Sequence, residues 1–445
     1  MLKDKKVLVL GLAKSGLAAT RLLIKLGAQV TVNESKEASQ IKEYDELVSM
    51  GVEMVTGGQP DELFERDFDF VVKNPGIKYT MPFILRLQER KIPIYTEIEL
   101  AYQVSKPQHY IAITGTNGKT TTTTLTYEMV KSVHPNTYVA GNIGIPLCEV
   151  VLNENLLENE GNYIILEMSN FQLLNIEKFK PEIATVINLT PDHLDYMRNV
   201  DEYYASKMRI YENQDQDDYF ILNKDDEVLK EYTSRYPIPS SVIPFSMEKE
   251  EMVQINGDYI EYDHQRILAL KDIHLVGKHN VQNVMIALTI CKLLGIDNEK
   301  IVESIQNFKG VEHRVEYVET INGVRYYNDS KATNTDATII AIKAFEDPLI
   351  LLLGGHDKGL DLTELKHYTD PLKKIICFGE AGVRFSKELD NTVLVEHMKD
   401  AVVKAHEIAS KGDVVLLSPS TSSYDEFTGY EQRGRVFKEI VHSLK

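Results

Sequence analysis

Tyr110-Ile111-Ala112-Ile113-Thr114-Gly115-Thr116-Asn117-Gly118-Lys119-Thr120-Thr121-Thr122 reads as a strand, a tight turn and the approach to a helix, whose helical character is clear over 125–131. A strand that enters a glycine-containing turn ahead of a helix leaves backbone N–H groups pointing outward. They cradle phosphate oxygens, and the positive end of the helix adds to the attraction. Gly115 and Gly118 allow the backbone to approach a ligand closely, with Thr116 and Asn117 between them. Lys119 can reach outer phosphates, and Thr120, followed by Thr121, can offer a hydroxyl to Mg²⁺. The bland alternative is a glycine turn before an ordinary helix; the strand–loop–helix context favours an ATP site. Ile113 stands where the common phosphate loop has its first glycine, so the motif is a shortened form.

Composition narrows the class. The 445 residues suggest about three domains. A hydrophobic content of 43% with 26% charged residues is enough to bury substantial cores. Lys+Arg 49 against Asp+Glu 67 gives a net charge of −18, which argues against nucleic-acid and anionic-membrane partners. A phosphorylated ligand must then be held by local basic pockets rich in N–H groups. Cys148, Cys291 and Cys377 are scattered in apolar surroundings and form neither metal spacing nor a disulfide framework, which fits a reducing compartment. Lys3, Lys5 and Lys6 ahead of Val7-Leu8-Val9-Leu10 imitate a secretory leader, but Lys14 interrupts the apolar run and the valines read as a buried strand. No stretch approaches the length of a membrane span. A cytoplasmic, monomeric enzyme of small molecules is expected.

The chain alternates strands and helices in three blocks. The first has strands expected at 6–10, 29–32, 68–72 and 92–95, and a helix at 17–26 after the turn Gly11-Leu12-Ala13-Lys14-Ser15-Gly16. This begins a doubly wound nucleotide-binding fold, with ligand groups at the carboxyl ends of its strands, in Asn33-Glu34-Ser35 and Asn74-Pro75-Gly76. Ala13 replaces the second glycine of G-x-G-x-x-G, which disfavours a dinucleotide. The second block holds the phosphate loop, strands expected at 138–140, 163–167 and 183–188, an extra antiparallel patch over 219–262 and a helix at 275–294. The third has strands expected at 323–327, 349–353, 374–378 and 413–417 and helices at 335–345 and 399–409. Domain boundaries are expected to give 1–97, 98–310 and 311–445.

The chemistry gathers where these strands end. Glu167 closes Tyr163-Ile164-Ile165-Leu166, well placed beside the phosphate loop to hold Mg²⁺. The next strand ends in Asn188-Leu189-Thr190-Pro191-Asp192-His193-Leu194-Asp195. His193 is either a surface turn residue or a ligand to a second metal; Glu167 and the loop tip the balance to the ligand. Asp192 and Asp195 read equally well as turn and cap residues. Lys207, in Tyr203-Tyr204-Ala205-Ser206-Lys207-Met208, reads by default as a solvated helix lysine.

The shortened loop with its threonine run resembles the Mur ligases and their relative folylpolyglutamate synthase. So do Glu167-Met168-Ser169-Asn170-Phe171-Gln172-Leu173, the Asn188 to Asp195 segment and Ser206-Lys207, in that order. The resemblance extends through Gly277-Lys278-His279-Asn280-Val281-Gln282-Asn283, Glu312-His313-Arg314 and Leu353-Gly354-Gly355-His356-Asp357-Lys358-Gly359. Within the family, Asn328-Asp329-Ser330-Lys331-Ala332-Thr333-Asn334 and Ser418-Pro419-Ser420-Thr421-Ser422-Ser423-Tyr424-Asp425-Glu426-Phe427 resemble the branch that adds D-glutamate.

That resemblance implies an α/β protein of three domains: a Rossmann-like N-terminal domain, a central P-loop ATPase-type domain and a Rossmann-like C-terminal domain. It implies ATP-dependent amide formation between UDP-N-acetylmuramoyl-L-alanine and D-glutamate through an acyl phosphate. ATP would be held by residues 115–121, Asn280 at the adenine, Arg314, and Asp329 at the ribose. Two Mg²⁺ ions would be served by Thr120, Glu167, His193 and a carbamylated Lys207. Lys119, His193, Lys207 and Lys331 would be catalytic. The UDP-sugar would meet Ser15, Glu34, Ser35, Asn74, Gly76 and Asn142, and D-glutamate would meet Lys331, Thr333, Lys358, Ser423, Tyr424 and Tyr430. The sequence departs from the family pattern at Thr421 and Ser422, where Cys and Ala are common, at Tyr430 in place of Phe, and at Asn33-Glu34-Ser35 in place of an Asp-Thr-Arg-like segment. A phosphate-loop small-molecule kinase would instead release a phosphorylated product, and a nucleotide-binding regulator would bind ATP without stoichiometric turnover.

Overall fold

Val7, Leu8, Val9 and Leu10 are all buried, as a strand covered on both faces requires. The computed structural model, which describes residues 2–190, 197 and 199–444, places them in β1 (Lys6–Leu10) at the centre of a parallel five-stranded sheet. Its companions are β2 (Gln29–Glu34), β3 (Glu53–Thr56), β4 (Phe70–Lys73) and β5 (Ile94–Tyr95), in the order β3-β2-β1-β4-β5. The chain leaves β1 toward one edge and returns to its other side at β4, so a crevice opens at the carboxyl end of β1. The following helix, Lys14–Lys25, starts three residues before the expected 17, which puts Ser15 in its first turn. β2 likewise runs on to include Asn33 and Glu34.

The second sheet has nine strands: β6 (His109–Thr114), β7 (Thr137–Gly141), β8 (Tyr163–Glu167), β9 (Ile183–Val186), β10 (Tyr219–Asn223), β11 (Ser241–Ser246), β12 (Val253–Asn256), β13 (Tyr259–Tyr262) and β14 (Gln265–Ala269). They are ordered β14-β13-β12-β11-β10-β9-β6-β8-β7. The antiparallel patch expected over 219–262 is corrected. β10 and β11 extend the central sheet in parallel, β12 joins β11 in parallel, and the direction reverses at the β12–β13 hairpin. The helix after the phosphate loop runs over Lys119–Val133, earlier and longer than expected. Thr122, Thr123 and Thr126 are among the residues it buries.

The third sheet is ordered β15-β16-β20-β17-β18-β19, from β15 (Glu316–Ile321), β16 (Val324–Asn328), β17 (Leu349–Gly354), β18 (Lys374–Phe378), β19 (Thr392–Leu394) and β20 (Val414–Leu417). Only β15 runs antiparallel to its neighbour. Along β17, Leu349, Leu351 and Leu353 enter one core while Ile350 and Leu352 enter another, so helices cover both faces.

The chain divides into two compact units, Met1–Leu268 with Gln282–Val302, and Ala269–Val281 with Glu303–Lys445. The first contains both the five- and the nine-stranded sheets. They share one apolar core, in which Ala18 and Leu22 of helix Lys14–Lys25 join Cys148 and Val151 of helix Leu147–Asn153. Two buried carboxyls on helix Glu97–Val104 tie this joint. Glu97 accepts from Leu147 N–H at 3.4 Å and Cys148 N–H at 3.0 Å, capping that helix. Burial nevertheless pushes its carboxyl up to about 7 against those hydrogen bonds. Glu99 accepts from Glu177, Lys178 and Phe179 N–H at 2.9–3.0 Å.

Candidate active site

β6 lies between β9 and β8, so the loop that leaves it emerges where the carboxyl ends of three parallel strands meet. Gly118 caps the helix Lys119–Val133 with φ 83, and a Cβ there would fall 2.4 Å from Asn283 Oδ1. The position needs glycine for both reasons. The loop is moored to the residues after β9. Thr116 N–H donates to Asn188 O at 3.0 Å and Asn117 N–H to Asn188 Oδ1 at 2.9 Å. The Asn188 side-chain amide donates back to Asn117 O at 3.2 Å. Thr116 and Thr190 exchange two further bonds, each of 3.0 Å.

Two lysines converge on one loop carbonyl. Lys119 Nζ donates to Gly115 O and Thr116 O, both at 2.9 Å. Lys207 Nζ donates to the same Gly115 O at 2.9 Å and lies 4.7 Å from the centre of the Tyr203 ring. The default reading of Lys207 as a solvated lysine is therefore corrected, because its side chain is 1% exposed and inside the site. It gets there because helix Val200–Met208 buries the face carrying Tyr203, Tyr204 and Lys207. Across the sheet, Glu167 ends β8, 1% exposed. One carboxylate oxygen accepts from Asn142 Nδ2 at 2.7 Å, while the other is buried without a partner among the described residues. An orphaned buried carboxylate oxygen at this place fits a cation. Glu167 O would be 2.3 Å from a Cβ at Gly141, so glycine there lets Asn142 fold over the carboxylate. His193, with Asp192 and Asp195, lies outside the described residues.

At the five-stranded sheet, Gly11, Glu34, Ser35, Asn74 and Gly76 line a cleft of about 720 Å³. A Cβ at Gly16 would come within 1.9 Å of Gly11 O, so glycine allows helix Lys14–Lys25 to start hard against the β1 turn. Asn74 Nδ2 donates to Ser15 Oγ at 3.0 Å, and Gly76 N–H donates to Asn74 Oδ1 at 3.0 Å. Burial tends to raise the Glu34 carboxyl, but donors from Leu12 N–H, Lys36 N–H and the Ser35 hydroxyl outweigh it and hold the group below the ordinary carboxylate range. The expected contacts Glu34, Ser35, Asn74 and Gly76 thus line one crevice, with Ser15 bonded to Asn74 at its side, whereas Asn142 stands with Glu167.

Asn280, Arg314, Asp329 and all the acceptor candidates belong to the second unit. Asn280 Nδ2 donates to Val276 O at 2.7 Å. Asp329 follows β16 and is buried; its carboxylate accepts from the Ser418 hydroxyl at 2.8 Å and Val315 N–H at 3.2 Å. Burial pushes this carboxyl up to about 7 despite those donors and the Arg314 charge. Lys358 Nζ reaches Thr333 O at 3.4 Å, and Lys331 Nζ lies 5.8 Å from the centre of the Tyr430 ring, so these four candidates form two neighbouring pairs. Arg384 grips Asp357 with two bonds of 2.9 Å and holds its carboxyl down at about 2, which fixes the Lys358 loop rather than offering an acid. Ser423 is buried and Tyr424 is 72% exposed. It is the neighbouring Ser422 whose buried hydroxyl lacks a partner among the described residues.

Family models match three successive segments: the Mur ligase MurD-like N-terminal domain over residues 5–96, the Mur ligase middle domain over 113–291, and the Mur ligase glutamate ligase domain over 313–421. A UDP-N-acetylmuramoylalanine–D-glutamate ligase of Bacillus mycoides (strain KBAB4) is 42% identical over 447 aligned positions, covering 99% of this chain and 98% of that protein. The chain belongs to the Mur ligase family. A protein of the same name from Geobacillus sp. (strain WCH70) is 41% identical over 100% of this chain and 98% of its own length. Among solved structures, the UDP-N-acetylmuramate-alanine ligase of Thermotoga maritima matches with a TM-score of 0.53 at 17% identity, covering 99% of this chain and 100% of that one. A UDP-N-acetylmuramoyl-L-alanyl-D-glutamate–2,6-diaminopimelate ligase gives 0.57 at 17% identity, over 94% and 93%. Those likenesses bear on the fold, which is the three-domain α/β fold of Mur ligases.

Two residues of this Mur ligase escaped the sequence reading. Asn188 appeared only as the start of a strand-end motif, and Asn283 only as the last letter of another. Their signal was present: a polar side chain at a strand end, and an asparagine three residues after Asn280, one helical turn along.

Proposed function

We propose that this chain is an ATP-dependent ligase that joins D-glutamate to UDP-N-acetylmuramoyl-L-alanine in peptidoglycan precursor synthesis. Relatives 41–42% identical over almost the whole chain are UDP-N-acetylmuramoylalanine–D-glutamate ligases, which supports this reading. The observation that carries the ATP-dependent chemistry is the meeting of Lys119 and Lys207 on Gly115 O, beside the half-satisfied Glu167. A substrate carboxylate that attacks the γ-phosphate of ATP brings anion against anion, so fixed cations and N–H groups must stabilise the shared charge. Lys119 and the amides of residues 115–121 would take the phosphates. Thr120 and Glu167, with His193 and a carbamylated Lys207, would hold two Mg²⁺ ions, which supply further charge neutralisation when bound. Asn142 would orient Glu167 and face the acyl or sugar portion. The crevice lined by Glu34, Ser35, Asn74 and Gly76, with Ser15 bonded to Asn74, would take the uridine diphosphate.

In the second unit, Asn280 would serve the adenine and Asp329 the ribose, and Arg314 would belong to the ATP site. Lys331, Thr333, Lys358, Ser423, Tyr424 and Tyr430 would receive D-glutamate, whose carboxylates need charged and hydroxyl donors. Attack by its free amine on an acyl phosphate gives a tetrahedral intermediate, which expels inorganic phosphate and loses the amine proton to leave the amide. We assign residues 1–97, 98–310 and 311–445 to the UDP-sugar, ATP and amino-acid domains, in a cytoplasmic monomer. The test is ADP release with UDP-N-acetylmuramoyl-L-alanine while amino acids, including both enantiomers of glutamate, are scanned. Release that requires D-glutamate and yields an amide is expected. A phosphorylated product without amide, or indifference to the amino acid, would overturn the reading.

A further inference from the structure

Arg433, on helix Tyr430–His442, has no exposed surface and belongs to none of the segments that carried the sequence reading. Its guanidinium spans three separate loops. Nε donates to Ser330 Oγ at 3.0 Å and one terminal nitrogen donates to Ser330 O at 2.9 Å. The same nitrogen donates to Thr421 O at 3.0 Å, and the other reaches Gly354 O at 3.5 Å. Ser330 stands beside Lys331 and three residues before Thr333, Gly354 opens the loop to Lys358, and Thr421 leads to Ser423 and Tyr424. A further bond is local: Ser330 Oγ donates to Tyr430 O at 2.8 Å, at the start of the arginine's own helix.

We infer that Arg433 is the positioning residue of the amino-acid site, its one guanidinium fixing the spacing of the loops that carry Lys331, Thr333, Lys358 and Ser423. This rests on the proposed D-glutamate reading. A dicarboxylate is gripped well only if donors on different loops stand at a fixed separation, and loops joined to separate strands have no such separation of their own. A planar group with several donors in a rigid fork sets three carbonyl directions at once, which a lysine cannot do. The packing leaves no slack: a Cβ at Gly355 would lie 2.9 Å from an Arg433 terminal nitrogen and 2.3 Å from Ser422 O. Burial pulls the guanidinium down only to about 10, opposed by Asp425 and Glu426, so the fork stays charged at neutral pH.

The experiment measures KM for D-glutamate, ATP and UDP-N-acetylmuramoyl-L-alanine separately, with thermal melting of each full-length variant. Arg433→Lys should raise KM for D-glutamate by about tenfold to a hundredfold, the scale of a misplaced binding group, with the other two KM values within about twofold. Equal changes in all three, or an unchanged D-glutamate KM in a folded variant, would overturn the inference. If Arg433→Lys does not fold, Ser330→Ala decides, since it removes only the hydroxyl between Arg433 and Tyr430: a selective rise in D-glutamate KM supports the inference and no change overturns it. Failure of the underlying reading looks different, because the wild-type enzyme itself would then release ADP without needing D-glutamate.

Discussion

Replacing Gly118 by alanine asks whether the backbone of the phosphate loop shapes the nucleotide site. Gly118 has φ 83, and the new Cβ would fall 2.4 Å from Asn283 Oδ1, an atom of a residue 1% exposed. Holding an L-residue in the left-handed region costs about 1–2 kcal/mol. Forcing a methyl against a buried amide adds about 1–3 kcal/mol. Gly118→Ala should therefore destabilise the first unit by about 2–5 kcal/mol, read from urea unfolding followed by circular dichroism. Asn283→Ala removes the atom that the methyl meets, so the double variant should recover the second part and leave the first. The double-mutant cycle should show a coupling of about 1–3 kcal/mol, with the cost of losing the amide itself cancelling. Calorimetry should also show ATP binding weakened by more than about tenfold in Gly118→Ala, since the cap sets where the helix amides point. Effects additive to within about 0.5 kcal/mol, with unchanged ATP affinity, would refute the reasoning.

Lys207→Ala should cripple turnover, and Lys207→Arg should not restore it, because Arg can neither carry a carbamate nor lose its charge. ¹³C-bicarbonate labelling followed by NMR checks the adduct directly, and an active Arg variant would count against it. Lys358→Ala should raise the D-glutamate requirement more than about tenfold, the worth of one charge-assisted contact, while the ATP requirement stays near wild type in steady-state assays. The Glu97 carboxyl is raised from 4.5 to about 7 in the folded chain, so that state binds more protons across this window. Its contribution is fully present below about 4.5 and is lost as pH rises through about 7. Glu97→Gln should therefore gain on the wild type between pH 5 and 8, by up to roughly 3 kcal/mol, in paired melts. Asp329, raised from 3.8 to about 7, moves in the same direction in both proteins and cancels from the difference. A gap independent of pH would refute the assignment.

The central strands of all three sheets were legible because they are near-continuous apolar runs ending in glycine or polar residues. Others were not. β3 (Glu53–Thr56) and β19 (Thr392–Leu394) are short edge strands whose pattern hardly differs from a loop. The direction of β10 is fixed by a crossover from β9, not by its own residues, so local alternation could not distinguish parallel from antiparallel pairing. The helix start at Lys119 was hidden by Thr120 to Thr124, since β-branched residues are poor helix formers, a preference offset here by the burial of Thr122 and Thr123. The candidate site was legible where a motif names its own chemistry, as in residues 115–121. Lys207 could not be recognised from its own helix as buried, because the carbonyl that receives it is 92 residues earlier in the chain.

Asn188 makes the phosphate loop mechanically continuous with the nine-stranded sheet. β6 and β9 pair in register as far as Thr114 opposite Val186, and the ladder would normally stop there. Asn188 adds a rung past that end, lending its main-chain oxygen to Thr116 N–H and its carboxamide to the main-chain N–H and C=O of Asn117. The loop is thus stiff on one flank for reasons that have nothing to do with the nucleotide. Its rigidity can therefore be tuned from position 188, a residue outside the loop itself.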